Sequence, residues 1–228
     1  MTEDILASLA LLCTGDGQVY QIIGLSLLVS GTAIGIAALL GIPLGAVLAL
    51  TQFPGRRLML HLCNTLMGLP PVVLGLALYL LLSRRGPLGF LSLLFTPTAM
   101  ILAQTILATP IVAALSASAL QAVSPQVRET ALMLGGTPRQ AAWMVVREAR
   151  VNLVAAVMAG FGRVAAEVGA VMIVGGNIRG QTRVMTTAIV METAKGNFAL
   201  AMALGIVLLA LSFLINLLLW RLQGSGGR

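Results

Sequence analysis

The chain has 228 residues, 58% hydrophobic and 9% charged, with a mean hydropathy of +1.00; this is too apolar for a water-soluble domain, which must keep a charged surface. Its net charge of +7 comes from basic residues scattered singly or in pairs between apolar runs, which argues for membrane topology and against a nucleic-acid-binding face. The length suits one membrane-embedded helical bundle, with no polar stretch long enough to fold separately.

The N-terminus opens Met1-Thr2-Glu3-Asp4, acidic where a signal peptide needs positive charge, and its apolar run from Ile5 to Leu12 is short. Residues 1–21 are expected to form an uncleaved external interfacial segment. Leu12 ahead of Cys13 is a poor lipoprotein cleavage site. Cys13 precedes the first span and Cys63 begins the second, so the topology places them on opposite sides and predicts no disulfide.

A helix crossing the ~30 Å hydrocarbon layer needs about 20 mostly apolar residues. Five segments qualify: Ile22 to Leu50, Leu58 to Leu82, Thr98 to Val123, Val151 to Gly175, and Phe198 to Trp220. With the N-terminus outside, the cytoplasmic side carries Arg56, Arg57, Arg128, Arg139, Arg147, Arg150, Arg221 and Arg228. The external side carries only Arg84, Arg85, Arg179, Arg183 and Lys195. The excess favours an external N-terminus and a cytoplasmic C-terminus. Only eight residues follow Trp220, so a cytoplasmic tail over 222–228 is expected, with no C-terminal regulatory domain.

The first span carries two small-xxx-small pairs, Gly31/Gly35 and Gly41/Gly45, the spacing that lets helices approach closely in lipid. Pro70 and Pro71 break the second span and Pro110 the third. Each proline removes a ladder bond and frees the carbonyl four residues earlier. Such backbone is tolerated in a membrane where it is buried in protein or lines a wet cavity, so Pro70 and Pro71 are candidate path residues.

The polar segment from Ser124 to Arg150 begins with Ser as N-cap and Pro125 at the first helical position, and Gly135-Gly136 stops the helix. Thr137-Pro138 at once repeats the start signal. The reading is two short helices joined by a glycine elbow. At 27 residues, this is more than a connection needs. The segment resembles the cytoplasmic loop of ATP-binding-cassette importer permeases, whose pattern is Glu-Ala-Ala, three residues, Gly, nine residues, Ile, one residue, Leu-Pro. Glu129, Ala131 and Gly135 match; Thr130 replaces the middle Ala, Val145 stands for Ile, and Arg147-Glu148 replaces Leu-Pro. The resemblance implies a coupling helix that docks on an ATPase through Glu129, Thr130, Ala131, Leu132, Gly135 and Gly136.

No Gly-x-x-x-x-Gly-Lys-[Ser/Thr] occurs, and the one lysine, Lys195, precedes Gly196 on the expected external side. The chain therefore lacks the loop that cradles phosphates, and ATP hydrolysis must come from a partner. No catalytic residue and no metal site are expected on it.

Arg163 and Glu167 lie four residues apart in the fourth span, where each charge costs at least ~2.5 kcal/mol unless it faces protein or water. They either pair structurally or line the path. A polar strip follows from Gly175 to Ile189. Arg163-x3-Glu167-x-Gly169 and Gly176-Asn177-Ile178-x-Gly180 resemble permeases for tungstate and, more distantly, molybdate and sulfate. Thr182 to Ile189, then Glu192-Thr193 and Lys195-Gly196, resemble the tungstate branch, as does Pro70-Pro71-Val72-Val73-Leu74-Gly75-Leu76.

The likeness implies an all-α integral membrane protein of five transmembrane helices with a coupling-helix loop, the type I importer permease fold, with the transmembrane domain over 22–221. It implies residence in the cell inner or plasma membrane. It also implies a homodimer of permease chains, two ATP-binding-cassette ATPase subunits that hold ATP and magnesium, and an external substrate-binding protein. Arg163, Glu167, Asn177, Thr186 and Thr187 are the candidates for the path or its gate. A self-contained secondary anion transporter or channel would transport alone and would more naturally show repeated halves, which the sequence lacks.

Overall fold

In the computed structural model, residues 17–224 are described. Of the expected interfacial segment 1–21, residues 1–16 with Cys13 lie outside the described residues, as do 225–228 with Arg228; residues 17–21 belong to the first helix. The described residues are all helical apart from turns and connections, with no strand among them. In chain order the α-helices are α1 Gly17–Leu50, α2 Arg56–Met67, α3 Pro71–Leu82, α4 Pro97–Gln121, α5 Pro125–Met133 and α6 Pro138–Glu148. They continue with α7 Arg150–Ala165, α8 Gly169–Gly175, α9 Met185–Ala194 and α10 Phe198–Gly224.

Three helices are long and apolar enough to cross a membrane alone: α1, α4 and, in α10, Phe198–Leu218. The broken pairs α2+α3 and α7+α8 bring the number of candidate spans to five. Proline has different consequences in two of them. Pro110 sits inside α4 without ending it. Pro70 and Pro71 do not kink a continuous helix. They occupy the N-cap and first positions of a new one, and the Gly68 N–H turns back to the Thr65 carbonyl at 3.1 Å. Two adjacent residues without N–H cannot continue a helix but fit its start, where those donors would be unsatisfied.

The described residues form two compact units. The first comprises 17–33, Leu69–Thr105 and Gly162–Ile215. Here α3 lies against α8 so closely that a Cβ on Gly75 would stand 2.8 Å from the Ala170 Cα. Val19 and Ile22 of α1, Met185 and Ala188 of α9, and Leu204 of α10 form a buried apolar cluster.

The second unit comprises Ile34–Gly68, Ile106–Phe161 and 216–224. The two glycine pairs of α1 have different fates. A Cβ on Gly45 would fall 2.6 Å from the Ala113 carbonyl oxygen, and one on Gly41 would fall 2.9 Å from the Val112 Cβ. Gly31 and Gly35 have nothing within 4 Å of that position. Gly45→Leu is therefore expected to destabilise the protein by roughly 1–3 kcal/mol or more through overpacking, read as a lower unfolding temperature in detergent. Leu48, Cys63, Ala113, Ala114 and Ala117 extend this contact as a buried cluster. Arg56 closes the end of α1: its Nε donates to the Leu48 carbonyl at 2.6 Å, meeting a helix terminus whose carbonyls lack partners.

Candidate functional site

The segment 124–150 folds as two short helices about a glycine elbow, as its capping signals predict. α5 ends in paired reverse bonds: Gly136 N–H donates to Ala131 O and Gly135 N–H to Leu132 O, both at 3.0 Å. This is the Schellman termination, which needs a left-handed residue where Gly135 has φ +82°. Gly136 is required for space, because a Cβ there would meet Ala131 O at 2.6 Å. Thr137 caps α6: its Oγ1 accepts from Gln140 N–H at 3.3 Å while Gln140 Oε1 accepts from Thr137 N–H at 2.7 Å. Ser124 occupies the N-cap position of α5 but makes no side-chain cap. Its carbonyl instead accepts from Val127 N–H at 3.1 Å.

The elbow presents an apolar tip. Met133 and Leu134 are 82% and 83% exposed, and Leu132, Trp143 and Met144 are also exposed. Leu134, Gly136, Arg139, Gln140 and Trp143 surround a shallow recess beside them. Arg128, Glu129 and Thr130 are exposed, while Ala131 is half-buried. The other end is anchored: Val145, Ala149 and Leu153 form a buried cluster with Leu120, flanked by Ile42, Ala46 and Leu50. Val145 at the Ile position of the coupling pattern thus ties the loop to the ends of α1 and α4. Arg147-Glu148, at the Leu-Pro positions, lets α6 run on to Glu148.

In the first unit, the fourth span is not the continuous helix that its apolar run predicts. It breaks at Glu167, between α7 and α8, and the carboxylate itself fills the gap. Glu167 Oε2 accepts from Arg163 Nη1 at 3.0 Å and Oε1 accepts from Ala170 N–H at 2.9 Å. The Glu167 side chain is 2% exposed and that of Arg163 30%. A carboxylate at the start of a helix satisfies an N–H that lacks a partner and sits favourably in the helix dipole. Thr186 donates to the Glu167 carbonyl at 2.9 Å. A Cβ on Gly169 would touch Val72 Cγ2 at 2.8 Å, so the start of α3 with Pro71 adjoins this break.

The strip after α8 is folded on its own hydrogen bonds. Thr187 is fully buried; its hydroxyl donates to Asn177 Oδ1 at 3.0 Å and accepts from Val184 N–H at 3.2 Å. Asn177, at φ +50°, donates through Nδ2 to Met191 Sδ at 3.0 Å. Thr182, also buried, donates to Gly175 O at 2.5 Å and accepts from Ile178 N–H at 2.9 Å. Arg179 donates to Gln18. Glu192 lies 3.0 Å from Lys195 Nζ and 3.8 Å from Arg183 Nη1. Its carboxyl is held below the usual carboxylate range, chiefly by the hydrogen bond from Lys195, against the opposing effect of burial, with help from Asn197 and Arg183. This contribution is present above the ordinary carboxylate pKa and is lost as pH falls through the lowered one.

Arg163, Glu167, Thr186 and Pro71 thus meet around one helix break, and Asn177 meets Thr187 in the strip. Two residues outside the sequence-derived set join them. Gln104, a buried amide in the apolar third span, donates to Val164 O at 3.4 Å in the last turn of α7. Ser26 of α1 accepts from Met185 N–H at 2.7 Å, at the start of α9. The signal for Gln104 was a side-chain amide in a span whose other polar groups before its last residue are hydroxyls; Ser26, one of several small hydroxyls in a 34-residue helix, carried none.

Residues 41–223 match the family of binding-protein-dependent transport system inner membrane components. The chain is 44% identical to the tungstate uptake system permease protein of Peptoclostridium acidaminophilum, over 98% of each chain. It is 46% identical to a probable anion ABC transporter permease protein of Haloferax volcanii, over 87% of this chain and 88% of that one. Among solved structures, the inward-facing MetNI methionine ABC transporter is similar at a TM-score of 0.76 and 20% identity, covering 93% of this chain and 98% of that one. The fold is therefore that of type I importer permeases, and the chain belongs to the binding-protein-dependent transport system inner membrane component family.

Proposed function

We propose that this chain is the permease subunit of an ATP-driven tungstate importer, paired with a second copy, two ATPase subunits and an external binding protein. The observation that carries the reading is the loop 124–150: an exposed apolar tip on a rigid glycine elbow whose far end is buried against the ends of two spans. Such a knob fits the cleft of a motor subunit, and Val145 passes its displacement to α1 and α4. The 44% identity to a tungstate uptake permease supports the cargo. The excess of basic residues on the side of this loop supports a cytoplasmic knob and an external N-terminus.

Transport proceeds by alternating access. The external protein delivers the oxyanion, and closure of the paired ATPases displaces the knobs and changes how the spans pack. Arg163, Glu167, Thr186 and the Pro70-Pro71 break serve as the gate. Their polar groups are engaged with one another, so they fix the shape of the broken spans, while Asn177 and Thr187 hold the strip beside them. The permease performs no covalent step. Vesicles containing the full complex are expected to accumulate labelled tungstate only with ATP inside and binding protein outside, and in preference to molybdate and sulfate. Uptake by this chain alone, driven by an ion gradient, would overturn the proposal in favour of a secondary transporter.

A further inference from the structure

Within the second unit, α2 and the end of α4 flank an open cavity of about 510 Å³, and the side chains of Arg57, His61, Asn64, Ser118 and Gln121 along it are exposed. From α2 it is lined by Arg57, His61 and Asn64, at spacings of four and three residues that put all three on one helix face. From α4 it is lined by Ala114, Ser118 and Gln121, again four and three apart. α2 begins, and α4 ends, on the side of the loop 124–150, so Arg57 and Gln121 stand at the mouth. Asn64 lies about 10 Å deeper, at 1.5 Å per residue.

None of the side chains of Arg57, His61, Asn64, Ser118 and Gln121 makes a hydrogen bond or ion pair among the described residues. The contrast with their surroundings is sharp. Adjacent Arg56 is spent on the Leu48 carbonyl. No carboxylate lines the cavity, while leucine, methionine and alanine form its remaining walls. Five donor-bearing side chains, one a guanidinium, thus converge on one space with their donors unused. A polar face on a membrane span must look onto water or protein, since lipid would leave those donors unsatisfied. An anion with several acceptor oxygens matches the set: it takes its charge complement from Arg57 and donors from two opposed helices.

We propose that this cavity is an oxyanion-binding vestibule on the knob side of the spans, occupied by the cargo on its way to the cytoplasm. It rests on the oxyanion-importer reading but concerns residues that reading does not use. Ala114 and Ser118 leave the space; Arg57, His61 and Asn64 grade it from a charged mouth to a neutral interior, so the anion is held without being trapped.

The test is equilibrium dialysis of labelled tungstate against the assembled permease–ATPase complex in detergent, without the external binding protein. Saturable binding is expected, weakened at least about tenfold by Arg57→Gln, which removes the positive charge, and by Asn64→Leu, which removes a donor to a charged ligand. Ser118→Leu, which fills the cavity, should do the same, whereas His61→Gln, which keeps a donor, should weaken binding less. Arg57→Gln lies in the exposed first turn of α2 and keeps the test decisive should the deeper variants fail to assemble. Absence of saturable binding to the unaltered complex, or unchanged affinity in Arg57→Gln and Asn64→Leu, overturns the vestibule. Vesicle uptake separates the two ideas: tungstate transport without binding here removes the vestibule alone, and graded binding here without tungstate transport removes the tungstate reading alone.

Discussion

Glu167→Ala is expected to cost the assembled protein roughly 1–3 kcal/mol, because it leaves a part-buried guanidinium without its partner and a buried N–H without its acceptor. The substitution unpairs Arg163 and removes the acceptor for Ala170 N–H, so the break between α7 and α8 loses both bonds to its carboxylate at once. Glu167→Gln keeps one acceptor and should lose less. Thermal unfolding of the complex in detergent reads the difference. The double variant Arg163→Ala/Glu167→Ala then separates two roles for the pair. Removing both charges leaves no unpaired ion, so stability should recover relative to Glu167→Ala. If the charges serve only the fold, tungstate uptake recovers with it; if the path needs the guanidinium, the complex assembles and uptake stays low. Arg163, 30% exposed, is placed for either.

Gly135→Pro is expected to cut ATP-coupled uptake sharply while leaving the spans folded. Proline requires φ near −65° where the elbow has +82°, and it deletes the N–H that bonds Leu132 O. The tip formed by Leu132, Met133 and Leu134 would then point elsewhere, with the anchor at Val145 untouched. Gly135→Asn is the discriminating control, because asparagine tolerates the left-handed conformation and keeps the N–H. Uptake should fall at least about tenfold with proline and much less with asparagine, corresponding to more than about 1.4 kcal/mol of lost coupling. Equal loss in both would mean that the glycine is needed for space against a partner and not for its backbone angle.

The features that the sequence displayed are those set by local chemistry. Five apolar runs of sufficient length gave five candidate spans, and Pro70-Pro71, Gly135-Gly136 and Thr137-Pro138 marked their breaks and caps because proline and glycine act on their own backbone. What stayed hidden depended on neighbours. Val164, Ala165 and Ala166 give no hint that the fourth span breaks at Glu167, where one carboxylate oxygen takes Ala170 N–H and the other Arg163. Gly31/Gly35 and Gly41/Gly45 share one spacing, yet among the described residues only the second pair has a helix against it. Thr186 and Thr187 read as candidates for the path or its gate, but polarity does not reveal that both hydroxyls are already bonded. Arg56 and Arg57 count equally in a charge tally, and only their placement shows that one closes a helix and the other lines a cavity.

The anchoring of Val145 makes the length of α6 a matter of phase. With Thr137 fixing where α6 begins, inserting one residue ahead of Val145 would rotate everything beyond it by about 100°, at 3.6 residues per turn. The side that meets Leu120 would then face water, and the knob would turn without gripping the spans. A shaft keyed at one angular position tolerates wear on its outer surface but not a change in its indexing. This explains how Arg147-Glu148 can stand where the coupling pattern has Leu-Pro while the ten-position step from Gly135 to Val145 is kept.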